Sequence, residues 1–317
     1  MKPYIAQAML DEYPVIMRFY SHEIFCPRVN MIRLPTMTIC NNTILKDKWQ
    51  CFRCFFATAS ILSIWRFLNN GLHDNVHLHF LHEYIVARAY LSKYKKIFLD
   101  SLYGCKNIIV YNSYIYDMIS PYNSKISIIT SGIDSERFHV ANNYNQNKKV
   151  IIMSGRVDDP VKGLSVLRKA VRVLERKRND FEVIVTSATK WRDGSIRSVG
   201  WLKQEELPSL YARGYCAVVP VVWREPFGIT TVEAMASGLP VIASSLGGPG
   251  EVVENGRTGI LVPPGDSDLL AEAISQLLDD PAMAREMGLR GRERACKLYD
   301  WDVIVDQHYL RMFQDIQ

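Results

Sequence analysis

The chain has 317 residues, 48% of them hydrophobic, and a formal net charge of +5. That composition belongs to a globular protein with room for two domains and excludes a disordered or fibrous chain. The charge is uneven: residues 1–150 hold 17 Lys and Arg against 10 Asp and Glu, whereas residues 151–317 hold 21 against 23.

Asn falls from 13 to 2 and Gly rises from 3 to 15 across the same boundary, so two domains with different tasks are expected. The opening MKPYIAQAML lacks the charged-then-apolar order of a secretory signal. The longest uncharged apolar stretch, Cys54 to Trp65, falls short of the roughly 20 residues of a spanning helix. A cytoplasmic chain is expected. The basic, aromatic-rich first half suits an anionic partner, either a membrane surface or a phosphorylated acceptor, unless it is simply a solvated basic face. No nucleic-acid motif is present.

In chain order, PVIMRFY, NIIVYN and ISIIT read as strands, and a long helical region runs from about His79 to Tyr103. Three strands are few for an independent doubly wound domain. Between the first two lies an irregular segment with Cys26, Cys40, Cys51 and Cys54, spaced C-x13-C-x10-C-x2-C. The seven cysteines are odd in number, which argues against a disulfide framework. The clustered four are either thiolate ligands of a structural zinc or free thiols, because the spacing is not that of a standard zinc ribbon. Trp49 to Leu68 is apolar and aromatic with Arg and Lys beside it. Such a segment is either a core helix or a helix lying on an anionic membrane surface.

SGIDSERFHVANNYNQNKKV is a polar connector that places the domain boundary between Ser131 and Lys148. Beyond it, KKVIIMSG, FEVIVTS, YCAVVPV, LPVIASS and GILVPP are short apolar strands with helical or turn segments between most of them. KGLSVLRKAVRVLERKR carries Leu164, Leu167, Val171 and Leu174 on one helical face. Such alternation predicts a parallel sheet covered on both faces, with ligands at the carboxyl ends of its strands. The last helices start at Asp266 and at Asp280-Pro281, a cap followed by a first-turn proline.

Two motifs lie at those carboxyl ends. In SGRVDDPVKGL, Arg156 and Lys162 flank a strand-to-helix turn. A planar fork and a compact point charge beside free backbone N–H groups suit a diphosphate. The nucleoside-triphosphatase loop G-x-x-x-x-G-K-[ST] is absent. In REPFGITTVE, Glu225 and Glu233 bracket a turn in which the helix is expected to begin at Thr230 and stop at Gly238. Thr230-x-x-Glu233 has the spacing of a capping box. A carboxylate is also a good double acceptor for two adjacent sugar hydroxyls, and Glu225 has no capping role. Asp-x-Asp occurs at Asp266 and at Asp300, each at a helix start, and is read as capping.

Residues 148–317 resemble the donor-binding domain of glycosyltransferase family 4, the retaining enzymes of the GT-B fold. The resemblance rests on SGRVDDPVKG, on the E-x7-E pattern EPFGITTVE followed by AMASGLPVIAS, and on GGPGEVVENGRTGILVPPGD. It implies an α/β fold with two Rossmann-like doubly wound domains, an acceptor-side one at 1–140 and a donor domain at 141–300. The C-terminal helix, 301–317, would pack back on the first domain. It implies transfer of a sugar from a UDP- or GDP-linked donor to a carbohydrate or lipid-linked acceptor with retention, as in cell-surface polysaccharide or lipopolysaccharide synthesis, on the cytoplasmic face of the membrane. Arg156 and Lys162 would bind the diphosphate, Glu233 the ribose and Glu225 the transferred sugar. Backbone around Phe227, Gly228, Ile229 and Thr230 would meet sugar and phosphate. No metal cofactor is required, because cations and N–H dipoles stabilise the leaving group. The stretch VIMRFYSHEIFC resembles the acceptor domain of the same family and implies an active-site role for His22. Family members carry further strand-helix units before that segment, so the acceptor domain is expected to be shortened. The other reading is then a donor-binding module without turnover, or one subunit of a split enzyme.

Overall fold

A computed structural model describes residues 2–20, 26, 32–33, 38–43, 45–56, 92–140 and 148–314. His22, most of the Trp49–Leu68 stretch and the first part of the helical region from His79 lie outside them. The chain divides into two compact units, 1–128 and 129–315.

The first unit is built on three parallel strands in the order β1 (Ile16–Arg18), β4 (Asn107–Val110), β5 (Ile126–Ile128). These are the three strands expected from sequence. Ile108 and Val110 are completely buried and pack with Met17, Phe19, Phe98 and Leu102. Helices α1 (Lys2–Leu10) and α3 (Ser92–Gly104) lie against each other. The cysteine segment is less irregular than its sequence suggests. It contains a short antiparallel pair, β2 (Ile32–Arg33) with β3 (Thr38–Ile39), then helix α2 (Lys48–Phe56). Helix α4 (Ser113–Ile119) is capped by the Asn112 side chain. Among the described residues no helix is long and apolar enough to cross a membrane.

The second unit is a seven-stranded sheet in the order β12-β11-β10-β6-β7-β9-β8. Its members are β6 (Lys149–Met153), β7 (Phe181–Val185), β8 (Arg192–Asp193), β9 (Ile196–Ser198), β10 (Cys216–Val219), β11 (Val241–Ser244) and β12 (Gly259–Val262). All pairings are parallel except that of β8 with β9. The strands read as continuous apolar runs because they are buried: every residue of β10 and β11 is inaccessible or nearly so.

Helix α5 (Leu164–Glu175) turns Leu167, Ala170, Val171 and Leu174 into the core, and Leu164 packs on its edge. It is followed by α6 (Leu207–Tyr211), α7 (Ile229–Ala236), α8 (Gly247–Val252), α9 (Ser267–Asp279) and α10 (Pro281–Tyr299). Asp266 and Asp280 are the N-caps of α9 and α10, as their positions predict, and Pro281 opens α10. Asp300 caps the next short helix, α11 (Trp301–Ile304). Its carboxylate also accepts from Ser135, at 2.6 Å from the hydroxyl, and Ile133 forms a bridge to Asp300. Both Asp-x-Asp sequences therefore serve as helix starts.

Leu167 is fully buried between α5 and the sheet. Leu167→Ala should cost about 3 kcal/mol in urea unfolding. Leu289→Ala, on an exposed face of α10, should stay within about 0.5 kcal/mol of the parent.

Candidate functional site

The site forms where β6 and β10 end. After Met153 the chain passes through Ser154 and Gly155 to the exposed Arg156. Asp158 ties this loop to the end of β7, accepting from Ser187 Oγ and from the Ala188 N–H, both at 2.7 Å. Asp159 then caps a single 3-10 turn, Pro160–Lys162, by accepting from the Val161 N–H. Gly163 closes that turn with φ 84°, and a Cβ there would strike the Pro220 carbonyl. Only glycine allows the turn to press this closely on the segment that follows β10. The Val222 N–H completes the junction by donating to the Val161 carbonyl at 2.9 Å.

Lys162 is thereby delivered to Glu225. Its Nζ donates to Glu225 Oε2 at 2.5 Å, and the side chains are 22% and 13% exposed. The same oxygen accepts the indole N–H of Trp223 at 2.9 Å. Glu225 is fixed through its backbone as well, because its carbonyl accepts the Gly248 N–H at 2.7 Å. A Cβ at Gly248 would collide with the Phe227 backbone, which explains the second glycine of GGPG. Phe227 is buried and meets Tyr299 edge-on with ring centroids 5.7 Å apart.

Helix α7 begins at Ile229, one residue earlier than its sequence suggests. Its N-cap is Gly228, in the left-handed conformation, with no side-chain cap. The expected capping box of Thr230 and Glu233 is therefore not made. With the start shifted to Gly228, Glu233 falls in the second turn, beyond reach of the cap. Its carboxylate is buried at 2% exposure and meets side chains instead. Oε2 accepts from the Tyr211 hydroxyl at 3.1 Å and Oε1 from Gln204 Nε2 at 3.2 Å. Tyr211, itself buried, also lies 2.5 Å from Ser154 Oγ, so one hydroxyl links the loop after β6 to helix α7. Burial raises the Glu233 carboxyl from 4.5 to about 7, against the lowering effect of Tyr211, Gln204 and the Arg137 charge. The Tyr211 phenol is pushed well up, first by burial and then by Glu233.

The structure thus brings together Lys162, Glu225, Phe227, Gly228, Ile229, Thr230 and Glu233, with Arg156 on the neighbouring loop. Sequence reasoning missed Tyr211, Gln204, Ser154 and Trp223. Tyr211 sits in LPSLYARGY, where a tyrosine at helical spacing reads as core; nothing local announces its hydroxyl contacts. His22 lies outside the described residues.

None of the four cysteines forms a disulfide among the described residues. Cys51 is buried, accepts Asn42 Nδ2 at 3.3 Å, and its thiol is pushed up to about 12, first by burial and then by Cys26, Cys40 and Cys54. Among the described residues no three His, Cys, Asp or Glu side chains are grouped as a metal ion requires.

Residues 148–280 match the family described as Glycosyl transferases group 1. Over 217 residues the chain is 31% identical to the glycogen synthase of Mycobacterium tuberculosis, covering 65% of this chain and 52% of that protein. It is 34% identical over 188 residues to the phosphatidyl-myo-inositol mannosyltransferase of Mycobacterium leprae, covering 55% and 48%. The chain spans about half the length of the curated relatives it matches. Among solved structures it resembles Anabaena Alr3699/HepE in complex with UDP and glucose, with TM-score 0.59 and 19% identity over 74% of this chain and 73% of that one. The second unit thus carries a segment similar to the group 1 glycosyl transferases, and the chain has the α/β fold of the GT-B glycosyltransferases.

Proposed function

We propose that the protein is a glycosyltransferase that moves a sugar from a UDP- or GDP-linked donor to a carbohydrate or lipid-linked acceptor with retention of anomeric configuration. The observation that carries this reading is the pairing of Lys162 with Glu225 beside buried Glu233, all at the carboxyl ends of β6 and β10. Arg156 and Lys162 hold the diphosphate, Glu233 accepts from the ribose hydroxyls, and Glu225 accepts from a hydroxyl of the transferred sugar. The uncapped N-terminus of α7 adds backbone N–H groups for sugar or phosphate.

The chemistry follows from the leaving group. Breaking the anomeric C–O bond moves negative charge onto the nucleoside diphosphate. Preorganised cations and N–H dipoles stabilise that charge more in the transition state than in the ground state. The departing phosphate takes the acceptor's proton, and attack comes from the face it leaves. The carboxylates of Asp266 and Asp300 serve as N-caps, so neither is assigned a part in the reaction. The surplus of Lys and Arg in residues 1–150 supports an acceptor that is anionic or that lies on an anionic membrane surface at its cytoplasmic face. Cell-surface polysaccharide or lipopolysaccharide synthesis fits such an acceptor.

Thermal melts with a panel of UDP- and GDP-sugars test the reading. One donor at a hundredfold excess over its Kd should stabilise the chain by about 2.7 kcal/mol. Arg156→Ala and Lys162→Ala should abolish that shift, and Lys162→Ala should reduce turnover on the order of a hundredfold or more. A shift without turnover on any acceptor would leave a donor-binding module. No shift with any donor would overturn the proposal.

The state of Glu233 gives two pH dependences. Sugar hydroxyls donate to a carboxylate, so donor affinity should fall as pH drops through about 7, where Glu233 takes up a proton. The fall approaches tenfold per pH unit, and calorimetric titration should find it absent in Glu233→Gln. Stability should run the other way. The folded chain holds this proton between 4.5 and about 7 while the unfolded chain does not. The contribution is therefore complete below pH 4.5 and lost as pH rises through 7, by about 3 kcal/mol at most. Urea unfolding of the parent against Glu233→Gln across this range would measure it.

A further inference from the structure

Glu225 is held at one oxygen. Lys162 Nζ and the Trp223 indole N–H both donate to Oε2, at 2.5 and 2.9 Å, and among the described residues Oε1 makes no hydrogen bond. The same Lys162 ammonium lies 5.4 Å from the centroid of the Trp223 ring. Lysine, indole and carboxylate are therefore one cluster, not two separate contacts.

Trp223 is built to stay in place. It is 8% exposed, and the Glu225 N–H donates to its carbonyl at 2.9 Å. Backbone and side chain of one residue thus grip backbone and side chain of the other. The Gly248 N–H holds the Glu225 carbonyl from the opposite strand connection. Lys162 has no comparable anchor, because its ammonium ends a flexible four-carbon stem.

The proposed function, on which this inference rests, gives Lys162 a second anion. A diphosphate carries more negative charge than one carboxylate and competes for the ammonium when the donor arrives. Glu225 would then lose its cation at the moment it must accept from the sugar. A half-buried carboxylate stripped of its partners is costly and adopts other rotamers to reach solvent. The indole N–H is a neutral donor, so a diphosphate competes for it far less than for the ammonium, and its position is set by packing.

We propose that Trp223 is a positioning residue for the transfer reaction: its indole N–H keeps Oε2 of Glu225 engaged when Lys162 turns to the diphosphate, leaving Oε1 to accept from a hydroxyl of the transferred sugar. Trp223 touches neither phosphate nor reacting atoms. Its effect is confined to the sugar half of the donor, whereas Lys162 serves the phosphate half.

The test compares the parent, Trp223→Phe, Glu225→Gln and the double variant, each titrated with UDP and GDP and with UDP-glucose and GDP-mannose, and assayed for turnover. Phenylalanine keeps a ring under the ammonium and removes the N–H. Trp223→Phe should leave affinity for the bare nucleotide unchanged and lower affinity or turnover for the nucleotide sugar about tenfold, the worth of one hydrogen bond to a charged group. In the Glu225→Gln background the same substitution should add less than a further twofold, because the indole acts through that carboxylate. A replacement of Trp223 by benzothienylalanine, which keeps the shape of the indole without its N–H, should reproduce the loss even where Trp223→Phe folds poorly.

Equal losses in both backgrounds, or a loss of bare nucleotide affinity to match, would reduce Trp223 to a packing residue and overturn the inference. So would unaltered sugar-nucleotide binding and turnover in Trp223→Phe while Glu225→Gln is impaired. In either case the donor-site reading would stand. A parent chain that binds no nucleotide in any form would overturn that reading, and this inference with it.

Discussion

The contact of Lys162 with Glu225 joins loops 63 residues apart in sequence, and the rest of the site depends on it. Neither side chain could be brought so far from water alone, because an unpaired buried charge is worth several kcal/mol of destabilisation. The pair is tolerable because it is tight and because Trp223 adds a third group to the same oxygen. Sheet order makes the pairing possible. β6 and β10 are adjacent and parallel, so the segments leaving their carboxyl ends emerge side by side. Gly163 and Gly248 then remove the two Cβ atoms that would hold the backbones apart.

That geometry also explains why the loops are short of conventional capping. Helix α7 opens on a left-handed glycine and has no side chain over its first N–H groups. Against the glycine present, Ser or Asp would add only about a few tenths of a kcal/mol; the Thr231 N–H meets the Gly228 carbonyl at 2.8 Å, and no side chain covers the N–H groups before it. Elsewhere in the same unit Asp266, Asp280 and Asp300 cap their helices in the ordinary way. The helices that start around the site, α5 on Gly163, α7 on Gly228 and α8 on Leu246, all begin without a side-chain cap.

Much of this was legible in the sequence. Strands buried on both faces read as apolar runs, and acid residues before apolar periodicity read as caps. Arg156, Lys162 and Glu225 stood out because they follow those runs at strand ends, and Glu233 by its spacing from Glu225. The hairpin β8-β9 was not legible: Arg192–Asp193 is exposed and Ile196–Ser198 offers only one fully apolar residue. Helix α1 lacks an acidic first turn and a basic last turn, so no terminal signal marked it. Tyr211 and Trp223 failed for a different reason. Each looks like a core aromatic, and each is one in its burial. Their polar tips acquire meaning only when the sheet brings Ser154, Glu225 and Glu233 to them. The capping-box spacing of Thr230 and Glu233 misled because it marks reach along a helix only if Thr230 is the cap, and Gly228 took that place.

Under the proposed function the two glutamates face the two halves of a nucleotide sugar, Glu225 the transferred sugar and Glu233 the ribose. Glu225 is met by an ammonium, so the charge at its end of the site can be exchanged with a phosphate. Glu233 is met only by a phenol and an amide in direct contact, with Arg137 acting from farther away, and burial is strong enough to leave it holding a proton up to about 7. Neutral donors suit a carboxylate that must trade partners with uncharged hydroxyls. Replacing one O–H or N–H by another costs little, whereas a directly bonded cation would have to be desolvated or displaced. A site with cations at both carboxylates would bind anions well and discriminate sugars poorly. On the proposed reading both glutamates accept from hydroxyls, while the charge of the diphosphate is met by Arg156 and Lys162 from the loop after β6.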